Sequence, residues 1–259
     1  MIDWLVGLQL EWLALVVVAA TAVVTAAIYG LVVALAVGDR ARSFKGVSPG
    51  MLPPIGLVFG LLVGFLAAGV WDNSDKAQAA VNQEASSLRS AVLLAAGLPA
   101  QARARVDDLI RRHIEEAATS EWPAMAHGRA TLAFVPVSLA QALDVTLAVR
   151  PRDDGQRVAQ REVVTALENA LDARRQRVIV SEGGINWVKW SGVVATAVLM
   201  LFAIAFVHSD DRGSAITAMA LFAAATAACI ILLASQDRPF GGKFAVKPTV
   251  LLQVEPPQR

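Results

Sequence analysis

Cysteine is close to absent from this chain of 259 residues: Cys229 stands alone, inside an apolar block. An intrachain disulfide is therefore excluded. No cysteine–histidine spacing suited to zinc or haem occurs. His113, His127 and His208 are scattered and read as ordinary surface or interface histidines. There is no Walker loop, nucleophile elbow, paired-cysteine motif or His-Glu-x-x-His. An enzyme is therefore not expected, nor a cofactor or a bound metal. Net charge is scarce too, with 23 basic and 22 acidic residues giving +1. That balance offers nucleic acid no basic footprint. The last absence is local. Four stretches carry no Asp, Glu, Lys, Arg or His in their interior. Ionisable groups inside a membrane mark proton relays, voltage sensors or coupled transport, so neither a pump nor a proton-coupled carrier is expected.

What is abundant is apolar residues, 56% of the chain, gathered in blocks. The first run, about 12–37, is too long for a signal-peptide core and follows a start, Met1 to Glu11, without a positive region. It reads as a transmembrane helix on which Thr21, Thr25 and Tyr29 share a face. Pro49-Gly50 is a turn signal. The second run, about 52–71, opens on Pro53-Pro54, which suits a helix start. Gly56, Gly60, Gly64 and Ala68 step by four and form one stripe. Small residues at that spacing let helices approach closely in lipid, either within one chain or at a subunit seam. Past Trp71 the helical pattern continues through Ala77, Ala80, Val81, Glu84, Leu88, Val92 and Ala95, with no breaker before Gly97-Leu98-Pro99. One helix from about Leu52 to Ala96 is predicted, its second half outside the membrane.

Residues 72–186 form a polar helical block. Pro99 opens a helix whose apolar face includes Val106, Leu109, Ile110, His113 and Ile114, and Glu121-Trp122-Pro123 is expected to end it. Ser138 is expected to cap a short helix reaching about Val149. A longer helix runs from about Gln156 to Ile179, with Val164, Leu167, Leu171 and Val178 as its apolar stripe. Gly183-Gly184 breaks it. The third and fourth apolar runs, about 187–207 and 215–235, form a hairpin around His208 to Gly213. Asp237-Arg238-Pro239-Phe240-Gly241-Gly242 terminates the fourth, and 238–259 is a tail with a brief turn of helix near Lys247-Pro248-Thr249. The fold class is thus all-α: a transmembrane hairpin over 1–71, the helical block, and a second hairpin over 187–237.

Trp4, Trp12, Trp71, Trp187 and Trp190 fall at predicted membrane boundaries, where the indole ring favours the headgroup level. Four spans put all five on the side of the polar block and both termini. Basic residues divide between the sides. Arg40, Arg42 and Lys45 lie in the first loop, while Lys76, Arg174, Arg175, Arg177, Lys189, Arg238, Lys243 and Lys247 flank span ends on the other side. The larger group places both termini and the block in the cytoplasm, beneath a bacterial inner membrane.

Four pieces together carry a resemblance. They are Leu52-Pro53-Pro54 with its glycine-stepped helix, Asn82-Gln83-Glu84-Ala85-Ser86-Ser87-Leu88-Arg89, Glu121-Trp122-Pro123, and Asp237-Arg238-Pro239-Phe240. With them the chain resembles the bacterial bestrophin-like family of multipass membrane proteins, from about Met51 to its end. Bestrophins are pentameric anion channels whose second span lines the pore. The resemblance therefore implies a homo-oligomeric anion channel in the lipid bilayer. The acidic cluster that bestrophins use for calcium sensing is missing, since adjacent aspartates occur only as isolated pairs. If the second helix lines a pore, the face opposite the glycines, Val58, Leu62, Phe65 and Leu66, points into it and could gate by dewetting; otherwise that face meets lipid. Lys76 and Arg89 near the mouth would favour anions, or serve solubility alone. Asp237 and Arg238 are expected to make a structural link to another helix, with a lipid-headgroup contact as the alternative. The competing function is a membrane-anchored scaffold whose polar block binds a partner without transport.

Overall fold

In the computed structural model of the chain, residues 10–35, 49–133 and 135–254 are described. Trp4 and the loop carrying Arg40, Arg42 and Lys45 lie outside them. Every regular element among the described residues is helical, so the all-α expectation holds. Four helical stretches, Leu10–Leu35, Pro49–Gly97, Trp187–Val207 and Arg212–Gln236, are long and apolar enough to cross a membrane. The chain divides into two compact units, Met1–Trp71 with Gly184–Asp237, and Asp72–Gly183 with Arg238–Arg259.

The first unit contains α1 (Leu10–Leu35), the apolar half of α2 (Leu52–Leu94), α7 (Trp187–Val207) and α8 (Arg212–Gln236). Its buried residues are almost all apolar, Thr226 and Asp237 being the exceptions. One core gathers Leu13 and Val17 from α1, Phe59, Leu66 and Val70 from α2, and Trp190, Val193 and Ala197 from α7. The Phe59 and Phe222 rings meet at 5.3 Å between centroids. Helix ends are closed by side chains. Asn186 accepts from Lys189 N–H at the start of α7, and Asp211 accepts from Gly213 N–H at the start of α8. The α1 threonines bond within their own helix, Thr21 to Val17 O at 2.7 Å and Thr25 to Thr21 O at 2.8 Å, which keeps the hydroxyls paired in an apolar setting.

The second unit contains the polar half of α2, α3 (Ala100–Glu116), α4 (Trp122–Ala126), α5 (Val137–Leu147), α6 (Asp154–Ser181) and α9 (Thr249–Leu252). The long α2 ends at Leu94 and passes through a 3-10 turn, Ala95–Gly97, as the first breaker predicts. A side chain at Gly97 would bring its Cβ within 2.6 Å of Ala159 Cβ, so the glycine lets this turn close onto α6. The core draws Val81, Ala85 and Leu88 from α2, Leu109 and Ile110 from α3, Leu139 from α5, and Val163 and Leu167 from α6. Asp153 caps α6 by accepting from Gln156 N–H at 2.8 Å, so the helix begins at Asp154, two residues ahead of the expected start.

Two local expectations fail here. Glu121-Trp122-Pro123 does not end the helix. The backbone widens into a π turn over Ala117–Glu121 and continues as α4, with Trp122 N–H donating to Ala117 O. In a regular helix the Pro123 ring would clash with the carbonyl of Thr119 and leave it without a donor. The wider turn relieves that clash, so the helix survives its proline. Ser138 does not cap α5 either. Pro136 occupies the cap position without a side-chain bond, and Ser138 instead donates to Glu116 Oε2 at 3.1 Å.

Candidate functional site

The apolar half of α2 shows three kinds of surface. Phe59, Leu66 and Val70 are buried in the first unit's core, with Leu62 and Val63 packed partly against them. The glycine stripe lies to one side. Gly56 is half-buried, and a Cβ there would sit 3.5 Å from Met200 Cε. Gly60, Gly64 and Ala68 are exposed, and a Cβ built at Gly60 or Gly64 meets nothing within 4 Å among the described residues. The remaining surface carries Leu57, Val58, Leu61 and Phe65, the last 70% exposed. The four candidate pore residues therefore separate: Val58 and Phe65 are uncovered, while Leu62 and Leu66 serve their own chain's packing. Helical geometry explains the division, since 59, 62, 66 and 70 follow steps of three and four.

Trp12, Trp71 and Trp187 are exposed, whereas Trp190 is buried in the core. Asp237 links the two ends of the second hairpin, its Oδ1 accepting from Ile185 N–H at 2.7 Å.

The second unit holds a buried ion cluster. Glu84 on α2 and Arg177 on α6 are both 0% exposed. Arg177 Nε donates to Glu84 Oε2 at 2.7 Å, and its Nη2 donates both to Glu84 Oε1 at 3.1 Å and to Glu121 Oε2 at 2.8 Å. Arg174 Nε donates to Glu121 Oε1 at 2.8 Å. His113 Nε2 donates to Glu84 Oε1 at 2.9 Å. The Arg177 guanidinium also lies 4.5 Å over the Trp122 ring, a cation–π contact in a desolvated place. Trp122 donates from Nε1 to Val246 O at 2.9 Å and meets the Phe240 ring edge-on at 5.7 Å. Pro239 is buried nearby in sequence, and its carbonyl accepts from Val246 N–H at 2.8 Å. Three of the four motif pieces thus converge on this unit: Glu84, then Glu121 and Trp122, then Phe240. Pro123 itself is exposed and acts through the backbone turn.

His113 corrects the surface reading of the histidines, because it is buried at 1% exposure against Glu84. Arg174 and Arg177 were not singled out as site residues, yet a signal for them exists. Arg177 completes the α6 sequence Val163, Ala166, Ala170, Ala173 at helical steps, so a charge occupies a core-facing position. Glu84 stands likewise within the apolar face of α2.

Burial by itself would raise the pKa of Glu84. The charge of Arg177 and then the His113 hydrogen bond overcome it and hold the carboxyl down at about 2, against an ordinary 4.5. Glu84 lies beyond Trp71, outside the apolar span. Glu121 is held low in the same way, burial opposing and the Arg174 hydrogen bond and Arg177 charge prevailing. Because the folded pKa of Glu84 is depressed, its contribution to stability is fully present above about pH 4.5 and is lost as pH falls toward 2. The loss is on the order of 3 kcal/mol. Hydrogen exchange of α3 and α6 amides across that range should show the wild type weakening steeply, while Glu84→Gln shows a much shallower slope. Parallel slopes would mean that the carboxylate is not paired in the folded state.

Lys76 is exposed and pairs with Asp72 at 2.6 Å, whereas Arg89 lies on the exposed side of α2. Among the described residues no group of three or more His, Cys, Asp or Glu could hold a metal ion. No curated protein and no solved structure matches the chain. A family model described as the Bestrophin-like domain does match, over residues 19–251, and the chain belongs to that family.

Proposed function

We propose that this protein is a homo-oligomeric, bestrophin-like anion channel in which the apolar half of α2 lines the conduction path, with no enzymatic role. The family and the four apolar helices make it a membrane protein. The observation that carries the channel reading is the uncovered side of α2. Leu57, Val58, Leu61 and Phe65 face outward next to a glycine ridge that, at Gly60 and Gly64, nothing among the described residues fills. A span that gives one face to its own core and leaves a bare ridge beside bulky apolar residues suits a ring of copies. In such a ring the ridges pack against neighbouring helices and the bulky residues form a dewetting constriction. The bacterial inner membrane and a cytoplasmic second unit complete the reading, following the tryptophan and basic-residue placement.

Halide efflux from liposomes containing the purified protein tests it. The wild type should conduct, and Phe65→Arg should change halide flux by at least about tenfold, because it places a ring of charge in an apolar constriction. Phe65 is preferable to Leu62 for this purpose, since Leu62 also packs against the core. Efflux identical to that of protein-free liposomes, from folded and inserted protein, would favour the membrane-anchored scaffold.

A further inference from the structure

Along one side of the first unit, α1 and α8 form a groove of about 600 Å³. Ala22 and Ala26 line it from α1, and Ala220, Ala224 and Ala228 from α8, on each helix at steps of four. All five are exposed, so the groove opens to whatever surrounds the helices. Thr21 and Thr25 also line it, but their hydroxyls bond to their own helix and leave the walls apolar. Along α1 the groove runs from Tyr29 to Val18. That is roughly 16 Å at a helical rise of about 1.5 Å per residue, close to one leaflet of a hydrocarbon core about 30 Å thick.

One end of the groove meets a polar pocket of about 110 Å³. Tyr29 walls both, and Ala215 of the pocket is followed by Ile216 of the groove. The other polar walls of the pocket are His208, Ser209 and Arg212. They stand where α7 turns into α8, at the end of α7 away from Trp187. These side chains are open to a ligand: Tyr29, His208 and Ser209 are half-buried, and Arg212 is exposed. No carboxylate pairs with Arg212 among the described residues. Asp211 beside it accepts from Gly213 N–H and from the Ser214 hydroxyl, and neither Asp210 nor Asp211 walls the pocket. A cation thus stands at the mouth of an apolar groove one leaflet long. The residue at the junction is the chain's single tyrosine, whose apolar ring and polar tip suit the boundary between hydrocarbon and headgroup.

We infer that one phospholipid binds here, with an acyl chain in the α1–α8 groove and its phosphate paired with Arg212 in the polar pocket. Charge selects this occupant over a second copy. The uncovered α2 face of another protomer, with Leu57, Leu61 and Phe65, has the bulk to fill the groove but brings no anion to Arg212. The site is separate from the α2 surface, and its test reads neither conduction nor assembly.

The probes are phosphatidylglycerol and a diacylglycerol of the same chains, which lacks the phosphate-bearing headgroup. Each is titrated into delipidated protein in detergent, and bound lipid is read by native mass spectrometry. The wild type should hold phosphatidylglycerol about three- to tenfold more tightly than diacylglycerol, as one charge-assisted contact at a partly wet site provides. Arg212→Gln should remove that preference and leave diacylglycerol binding as it was. Ala224→Phe, which fills the groove, should weaken both lipids with the helical signal unchanged. Ala22→Phe should do the same from the α1 side, so the result does not hang on the folding of one variant. Glycerol phosphate, which has no chain, should not displace the lipid at equal concentration. Equal affinity of the wild type for the two lipids overturns the assignment, and so does a phosphatidylglycerol preference that survives Arg212→Gln. Binding untouched by both phenylalanine variants would take the chain out of the groove and leave that groove to a second copy. Displacement by glycerol phosphate would make the pocket a site for free phosphate instead.

Discussion

Arg177→Met is expected to lower the stability of the second unit by about 3–5 kcal/mol, the cost of breaking a buried ion pair by removing one partner. Methionine fills nearly the same length and can still lie against Trp122 and Met125, so packing loss is small. The damage comes from the carboxylates left behind. Glu84 has no exposure to water, and Arg177 supplies two of its hydrogen bonds. Glu121 keeps Arg174 and suffers less. The double variant Glu84→Gln with Arg177→Met removes the stranded charge while leaving an amide oxygen for His113. It should recover to within about 1–2 kcal/mol of the wild type, because a buried pair contributes little net stability compared with well-packed neutral groups. Hydrogen exchange at α3 and α6 separates the outcomes. A single variant as stable as the wild type would show that water reaches the cluster.

Gly60→Leu is expected to leave the single chain folded and to take the proposed assembly apart. Among the described residues nothing stands within 4 Å of a Cβ at Gly60, so the protomer has room for the side chain. Replacing glycine within a helix also gains up to about 1 kcal/mol of helix propensity. A neighbouring helix packed on the ridge would instead be pushed off by the leucine, since close approach is what the glycines permit. The opposite signs make the variant diagnostic: an unchanged helical signal, a smaller particle in size-exclusion light scattering, and halide efflux reduced by at least about tenfold. A variant that assembles and conducts like the wild type would assign the ridge to lipid. Gly56→Leu is a poorer probe, because Met200 already lies near that position.

How much of this was legible in the chain itself differs between the two units. The spans were readable because each is a local run of residues compatible with hydrocarbon, and the third such run is the helix Trp187–Val207. The unbroken α2 was readable because helix formation depends on the absence of a breaker, and none occurs before Gly97. The Glu-Trp-Pro stop was misread for an equally local reason. Proline usually ends a helix, but a π turn can accommodate it, and whether that widening is stabilised depends on what Glu121 and Trp122 meet across the core.

The sequence by itself determined the all-α class, the four apolar spans and the family motif pieces, since periodicity, breakers and short motifs are properties of neighbouring residues. Only the tertiary structure decided which charges are buried. Glu84, His113 and Arg177 stand at core-facing steps of their helices, but only folding brings these residues and Glu121 together with partners 29 to 93 positions away within hydrogen-bonding distance. It also decided which tryptophan is buried, which members of the α2 outer face remain uncovered, and that Trp122 meets Phe240. Each of these depends on contacts between distant segments. Hydrophobic pattern specifies that a helix buries a face, whereas the partner on that face is chosen by packing and charge pairing among elements far apart in the chain.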